Sequence, residues 1–439
     1  MPIWNRRSEC MERTEIEQLQ LERLQATVNR AYRNVPLYHR KFTNLGIEPE
    51  DIQSLADIRN LPVTTKDDLR DGYPYEMFAV PLREILRIHS STASSVKPIV
   101  VGYTRNDLKH WAELVARVMS AAGVVKDDVV QIAFDYGLFT GGFGMHAGAE
   151  RLGASVIPVS SGATERQIQI MQDFRSTALV SPPSYALYMI SLMGKMGVPT
   201  AGLSLRVGLF GGEPMSDLAR QKIESGLGVV ATDNYGVSAL IGPGIAGECE
   251  LRCGMHVNED HFLLEILNPD TLEPLPEGEE GELVITTLTR EGVPMLRYRT
   301  RDVTSVTKVP CKCGRTTARI APIRKRTDDM IIFRGVAVYP ADVESVLFEI
   351  EHVEPHYQIV LTQESGLDIM TLNVELSSEM ASDQIQRLLE LEETIKKRVH
   401  AIVGVTPRVK LVEPKAVGKA GTGDRIVDLR ESGGASLTP

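Results

Sequence analysis

Cysteine is scarce, with five residues in a chain of 439, too few for the disulfide scaffold of a secreted protein. No uninterrupted apolar stretch reaches the roughly 20 residues that a bilayer demands, so no membrane partner is expected. The opening residues, Met1-Pro2-Ile3-Trp4-Asn5-Arg6-Arg7, have no apolar core behind their charges, so no secretory leader is expected either. Basic residues number 48 against 58 acidic ones, a formal net charge of −10, and no Lys/Arg run offsets the deficit. That balance argues against nucleic acid as a partner. Long repeats and low-complexity tracts are missing too. These absences leave a cytoplasmic globular protein, and its length exceeds what one hydrophobic core supports, so two or three domains are expected.

The order of apolar segments gives the architecture. Leu21, Leu24, Val28 and Ala31 recur at spacings of three and four, which predicts an N-terminal helix. Thr14 and Glu17 read as its capping box, and Asn34-Val35-Pro36 as its end. Between about 100 and 240, apolar runs at Val129–Phe134, Ala154–Val159, Ala178–Ser181, Val207–Phe210 and Val229–Asp233 alternate with helix-like stretches. That alternation predicts an α/β fold with a doubly wound, mostly parallel sheet, whose ligands bind at loops beyond the strand carboxyl ends. Asp135-Tyr136-Gly137, Gly211-Gly212-Glu213-Pro214 and Asn234-Tyr235-Gly236 are the loops so marked. A β-rich subdomain follows over about 245–325, with strands at Phe262–Ile266 and Glu282–Thr287. The last 110 or so residues read as β-α-β-β-α-β, a small ferredoxin-like domain. The expected division is 1–325 and 326–439.

One loop has the composition for phosphate chemistry. Ser90-Ser91-Thr92-Ala93-Ser94-Ser95-Val96-Lys97 offers hydroxyls and a cation to phosphate oxygens. A solvated surface loop accounts for the same composition, and the glycines that let backbone amides approach a phosphate are missing.

That loop, Tyr235-Gly236-Val237-Ser238 and Tyr298-Arg299-Thr300-Arg301-Asp302 match in order the core motifs of adenylate-forming enzymes. More narrowly, the chain resembles the phenylacetate–coenzyme A ligases nearly end to end. Ala31–Tyr38, Tyr136-Gly137-Leu138-Phe139-Thr140-Gly141-Gly142, Ile241-Gly242-Pro243-Gly244 and Asp328–Gly335 carry the resemblance. It implies an adenylate-forming fold, a large AMP-binding N-terminal domain and a small mobile C-terminal one. It implies ATP, CoA and a small carboxylic acid as partners. The carboxylate attacks the α-phosphate of ATP, and the CoA thiolate then displaces AMP. Carried over by position, Asp302 accepts hydrogen bonds from the ribose; a strand-end ion pair with Arg299 or Arg301 is the competing reading. Gly212, Glu213 and Pro214 line the adenine site, and Asn234, Tyr235 and Gly236 cover the ring. Ser91, Thr92, Ser94, Ser95 and Ser238 belong to the nucleotide motifs. Lys97 and Lys419 are the catalytic cations, and Arg326 stands at the hinge. Tyr136, Phe139, Ile241 and Pro243 resemble an aryl-acid pocket, which such a ligand requires to be apolar; ordinary core packing is the alternative. Homodimers are common among such enzymes.

Three motifs depart from the family. Ala93 and Val96 replace both glycines of the phosphate loop. Ala239 stands where the family places a magnesium-binding Glu, which weakens the expected Mg2+ site. Thr422 occupies the position of the C-terminal lysine, with Lys419 three residues early. The expected activity is an AMP-forming acyl-CoA ligase for an aromatic or related acid. A catalytically impaired nucleotide- or acyl-CoA-binding relative, and activation with an acceptor other than CoA, are the alternatives.

Four of the five cysteines fall in two pairs, Cys249-x3-Cys253 followed by His256, and Cys311-x-Cys313. Two soft-ligand clusters read as a structural Zn2+ site, and reduced buried cysteines are the alternative. The family resemblance favours Cys249, His256, Cys311 and Cys313 as ligands, with Cys253 as a spare or substitute for His256.

Overall fold

The computed structural model describes residues 2–91, 97–323, 325–328, 330–364, 367–377, 385–413 and 426–430. These form two compact units, one ending at Thr327 and one made of the residues from Asp328 on together with Lys97. Among the described residues, no helix is long and apolar enough to cross a membrane.

The first unit is built on a nine-stranded sheet. Ser155–Ile157, Val129–Ile132, Ala178–Ser181, Val207–Gly211 and Val230–Val237 lie side by side and parallel. From Val230–Val237 onward the pairing turns antiparallel, through Gly242–Glu248, Met255–Val257, Arg319–Ile320 and Val306–Thr307. A second, four-stranded antiparallel sheet is formed by Phe262–Leu267, Gly281–Thr287, Tyr298–Thr304 and Lys325–Arg326.

Helix Arg105–Ala121 shows why the parallel half is covered so closely. Thr104 caps it, its hydroxyl accepting from Asp107 N while Asp107 accepts from Thr104 N. Trp111, Leu114, Val115 and Val118 recur at helical spacing and are buried. The helix meets Gly141–Leu152 at Gly144 and Gly148, where a Cβ on Gly148 would stand 2.2 Å from Val115 Cγ1. Only glycine permits that approach.

One local expectation fails at the N-terminus. The N-terminal helix spans Arg13–Asn34 with Glu12 as its N-cap and no side-chain cap bond, so Thr14 and Glu17 form no capping box. Its C-terminal end holds, because Val35 is extended ahead of Pro36, which opens the next helix, Pro36–Leu45.

In the second unit, helices Pro340–Phe348 and Ile385–Val403 accompany a four-stranded sheet. The strand order is Arg408–Val412, Leu367–Leu376, Val353–Glu364 and Ile426–Asp428. The expected first strand, at Met330–Phe333, does not join this sheet. Ile331–Phe333 folds back on Val336–Val338 as a separate hairpin. Its turn has Arg334 at φ 50° and Gly335 at φ 78°, the two positive angles of a tight I′ hairpin. A strand that pairs at once with its own sequel is taken from the larger sheet. The ferredoxin-like reading is corrected to that extent.

Asp107 carries much of the packing around the first helix. Besides capping it, the buried carboxylate accepts from Glu291 N at 2.8 Å and Gly292 N at 2.9 Å and faces Arg290 Nη1 at 3.1 Å. Arg290 is itself buried, with its guanidinium 4.2 Å over the Tyr103 ring. Asp107→Ala strands that charge, and a cost of about 3–5 kcal/mol is expected. An unfolding free energy from urea titration lowered by less than a third of that amount would contradict the assignment.

Candidate functional site

The carboxyl ends of the parallel strands bring the glycine-rich turn and the tyrosine motif together. Strand Val207–Gly211 runs into Gly212, whose φ of +79° suits glycine. A Cβ on Gly211 would lie 2.4 Å from the Asn234 carbonyl oxygen, so the two strands approach at backbone distance. Asn234 Nδ2 donates to Phe210 O at 2.5 Å. Glu213 Oε1 accepts from Ser184 N at 2.5 Å, in the first turn of helix Pro183–Met196. Pro214 is exposed on the same turn. Asn234-Tyr235-Gly236 is not the expected loop, because the strand continues through Val237 with a bulge between Tyr235 and Gly236. A Cβ on Gly236 would meet Gly242 O at 2.3 Å, so the bulge has no room for a side chain.

Asp302 is buried where strand Tyr298–Thr304 pairs with Lys325–Arg326, directly opposite Arg326. Tyr235 Oη donates to Asp302 Oδ2 at 2.5 Å, and Arg326 Nη1 donates to Oδ1. Arg326 Nη2 also donates to Thr300 O at 3.0 Å. Burial, then the Asp302 charge, pushes the Tyr235 phenol well above its ordinary pKa and keeps it a donor. The expected competitors for Asp302 turn elsewhere. Arg299 pairs with Glu282 at 2.6 Å, and Arg301 lies 3.7 Å from the same carboxylate.

Segments 136–144 and 238–243 form the neighbouring wall. Thr140 and Ser238 hydroxyls are 2.9 Å apart. Ile241 and Pro243 are buried, their carbonyls accepting from Tyr103 Oη at 2.9 Å and Trp111 Nε1 at 2.8 Å. Tyr136 and Phe139 are half-buried against the same core. Ala239 is buried, so its methyl group offers nothing to a cation. Ser91 Oγ accepts from Ile99 N at 3.0 Å, and Lys97 is exposed. Thr92, Ala93, Ser94, Ser95, Val96, Lys419 and Thr422 lie outside the described residues.

The expected metal ligands converge. One ligand atom from each of Cys249, His256, Cys311 and Cys313 falls within 4.8 Å of all the others. Cys249 Sγ and Cys311 Sγ are 4.0 Å apart, and Cys313 Sγ and His256 Nε2 are 3.4 Å apart. Metal–sulfur and metal–nitrogen bonds of about 2.3 and 2.0 Å in a tetrahedron give edges of roughly 3.5–3.8 Å, so the donor set fits zinc. Cys253 stays outside, exposed, its thiol on Leu251 O. It is neither spare nor substitute.

Several participants escaped the sequence reading. Arg315 Nη1 lies 3.7 Å from Cys313 Sγ, and its Nε binds Glu9 Oε2 at 2.6 Å. Hydrogen bonds from Cys249, His256 and Arg315 hold the Cys313 thiol far below its usual range. His146 and Glu150 join Tyr136 through side-chain contacts of 3.2 and 3.1 Å. Their i,i+4 spacing on a predicted helix was the available signal.

Comparison with known proteins places this geometry. Residues 108–289 match the family model of AMP-binding enzymes, and residues 335–430 match that of the AMP-binding enzyme C-terminal domain. The chain is 46% identical to a phenylacetate-coenzyme A ligase of Thermus thermophilus, over 96% of this chain and 98% of that one. It is 44% identical to the Escherichia coli phenylacetate-coenzyme A ligase, over 96% of each. Among solved structures, 2-hydroxyisobutyryl-CoA ligase in complex with 2-HIB-AMP and CoA superposes with a TM-score of 0.93. It is 29% identical, over 98% of this chain and 93% of that one.

Asp233, one residue before Asn234, also escaped notice. Burial, then the nearby Glu248 carboxylate, raises its pKa to about 8. Glu248 is buried and accepts from Asp233 N at 2.8 Å and Arg220 Nη1 at 2.7 Å. A folded-state pKa above the unfolded value of about 3.9 favours the folded chain at low pH. That contribution is complete below about pH 4 and is lost as pH rises to about 8. Asp233→Asn, permanently neutral, should lose less stability than the parent between pH 5 and pH 8 in urea titrations. Equal losses would contradict the assignment.

Proposed function

The chain belongs to the phenylacetate–coenzyme A ligase family, and on that premise we propose that it is an AMP-forming acyl-CoA ligase for an aromatic or related carboxylic acid. The observation that carries this reading is the buried Asp302 carboxylate, held by Tyr235 and Arg326 beside the Gly211–Gly212 turn. A carboxylate with its charge compensated on one side accepts from vicinal ribose hydroxyls on the other at little further desolvation cost. Gly212, Glu213 and Pro214 supply backbone to the adenine edge, and Asn234 and Tyr235 lie against its face. Tyr136 and Phe139 contact the acyl group. ATP, when bound, supplies the electrophilic α-phosphate and the pyrophosphate leaving group. The protein holds the acid and the nucleotide at reacting distance. CoA takes the acyl group in the second half-reaction. The unit that ends at Thr327 acts as the nucleotide-binding domain, two residues longer than the expected 1–325, and the unit from Asp328 on as the mobile one.

One observation favours a second reading, that adenylation is slow or lost. Ala239 is buried and apolar where the family places a magnesium carboxylate. With Ala93, Val96 and Thr422 it removes groups that hold metal and phosphate. Carboxylate-dependent exchange of labelled pyrophosphate into ATP separates the readings. The ligase predicts magnesium-dependent exchange with at least one arylacetic acid. No exchange in the parent, but exchange after Ala93→Gly, Val96→Gly and Ala239→Glu together, would establish the impaired reading.

The cysteine–histidine cluster holds a structural zinc. Its four positions are filled by protein ligands, so no water site remains for catalysis. Thr317 Oγ1 lies 3.4 Å from His256 Nδ1 and can orient the ring. Elemental analysis should find one zinc per chain, lost in Cys313→Ser and kept in Cys253→Ser. Zinc loss in Cys253→Ser would overturn this ligand set.

A further inference from the structure

A side-chain relay begins at Tyr136, which the ligase reading sets against the acyl group. Tyr136 Oη lies 3.2 Å from His146 Nδ1, and His146 Nε2 lies 3.1 Å from Glu150 Oε1. His146 and Glu150 are one turn apart on helix Gly141–Leu152. An ionised carboxylate only accepts hydrogen bonds, and a neutral imidazole has one donor and one acceptor nitrogen. Glu150 therefore draws the imidazole proton to Nε2 and leaves Nδ1 as a lone pair. Tyr136 must donate its single hydroxyl proton to that lone pair. Its oxygen is then left with acceptor capacity only.

A second acceptor stands across the Phe143 ring, whose centroid is 5.3 Å from Tyr136 and 5.5 Å from His89. His89 Nδ1 lies 3.0 Å from Leu138 O, and a carbonyl oxygen only accepts, so Nδ1 carries the proton. The bare Nε2 is buried and has no partner among the described residues. Burial lowers the pKa of His89 and keeps the ring neutral. A buried acceptor with no donor is costly, and a ligand that donates to it relieves that cost.

We propose that this pocket selects acids whose distal end carries a hydrogen-bond donor, a phenolic hydroxyl or an aromatic amine, with His146 and Glu150 as positioning residues that fix Tyr136 as the acceptor. The inference rests on the acyl-CoA ligase reading for the pocket's identity. An acid of the same size with no donor leaves both acceptors unpaired.

The test compares hydroxyphenylacetates with fluorophenylacetates of the same ring position and with phenylacetate, by kcat/KM for CoA thioester formation and by calorimetric binding of the free acids. The best hydroxy acid is expected to exceed its fluoro counterpart about tenfold. Glu150→Leu removes the acceptor that fixes the tautomer, and His146→Leu removes the imidazole, so both let Tyr136 donate to an acid's own acceptor and should lower the ratio, leaving only the share due to His89. A ratio within one variant cancels losses of folded protein, which a merely structural role would produce. No preference in the parent, or an unchanged ratio in both variants, overturns the inference. Preferential binding of hydroxy acids without turnover of any would sink the ligase reading and support the pocket's polarity. Absence of both binding and turnover would overturn the two together.

Discussion

A carboxylate taken out of water must be compensated where it stands, and the buried Asp302 sets that constraint on the first unit. Two of its compensating partners come from different places. Tyr235 belongs to the nine-stranded sheet, Arg326 to the last strand of the four-stranded sheet. Removing either partner leaves a buried charge worth several kcal/mol of destabilisation. The two sheets are thus held in register at this point by electrostatics as well as by packing. The same cause explains why the neighbouring arginines do not compete. Glu282, fully buried, takes Arg299 and Arg301 and leaves Asp302 to Tyr235 and Arg326.

The cysteine–histidine cluster secures the far edge of the same unit by similar logic. Cys311 and Cys313 flank a turn that Arg315 ties to Glu9, and Arg315 Nη2 reaches Pro2 O at 2.9 Å. Thr316 Oγ1 donates to Met11 O at 2.6 Å. The N-terminal segment is therefore part of the cluster's surroundings. Arg315, buried between the Glu9 carboxylate and the Cys313 sulfur, suits a turn that must stay rigid beside four converging side chains.

Much of this was legible in the sequence, for reasons that differ by element. The parallel strands are short apolar runs at regular spacing, a pattern that burial on both faces imposes. Helix Gly141–Leu152 and strand Ala178–Ser181 fall where periodicity places them. Motif resemblance brought Asp302, Tyr235 and the four residues of the cysteine–histidine cluster into view. Three things were hidden because they depend on chain reversals or long-range pairing. The Asn234–Gly236 segment has loop-forming residues but remains strand, since its bulge is dictated by Gly242 across the sheet. The hairpin at Arg334–Gly335 diverts a strand that apolar content alone assigns to the main sheet. Arg326 reads as a linker charge until the strand pairing sets it opposite Asp302. The relay from Tyr136 to Glu150 lay half in view, because only its helical spacing is sequence-local.

The central claim is that Asp302 is the anchor for a nucleotide ribose. Isothermal calorimetry of AMP binding to the parent and to Asp302→Asn, with near-UV circular dichroism to show that both are folded, tests it most directly. The account predicts measurable AMP binding in the parent and a loss of about tenfold to a hundredfold in the variant, from one or two lost charge-assisted hydrogen bonds. Equal AMP affinity in two folded proteins would contradict it.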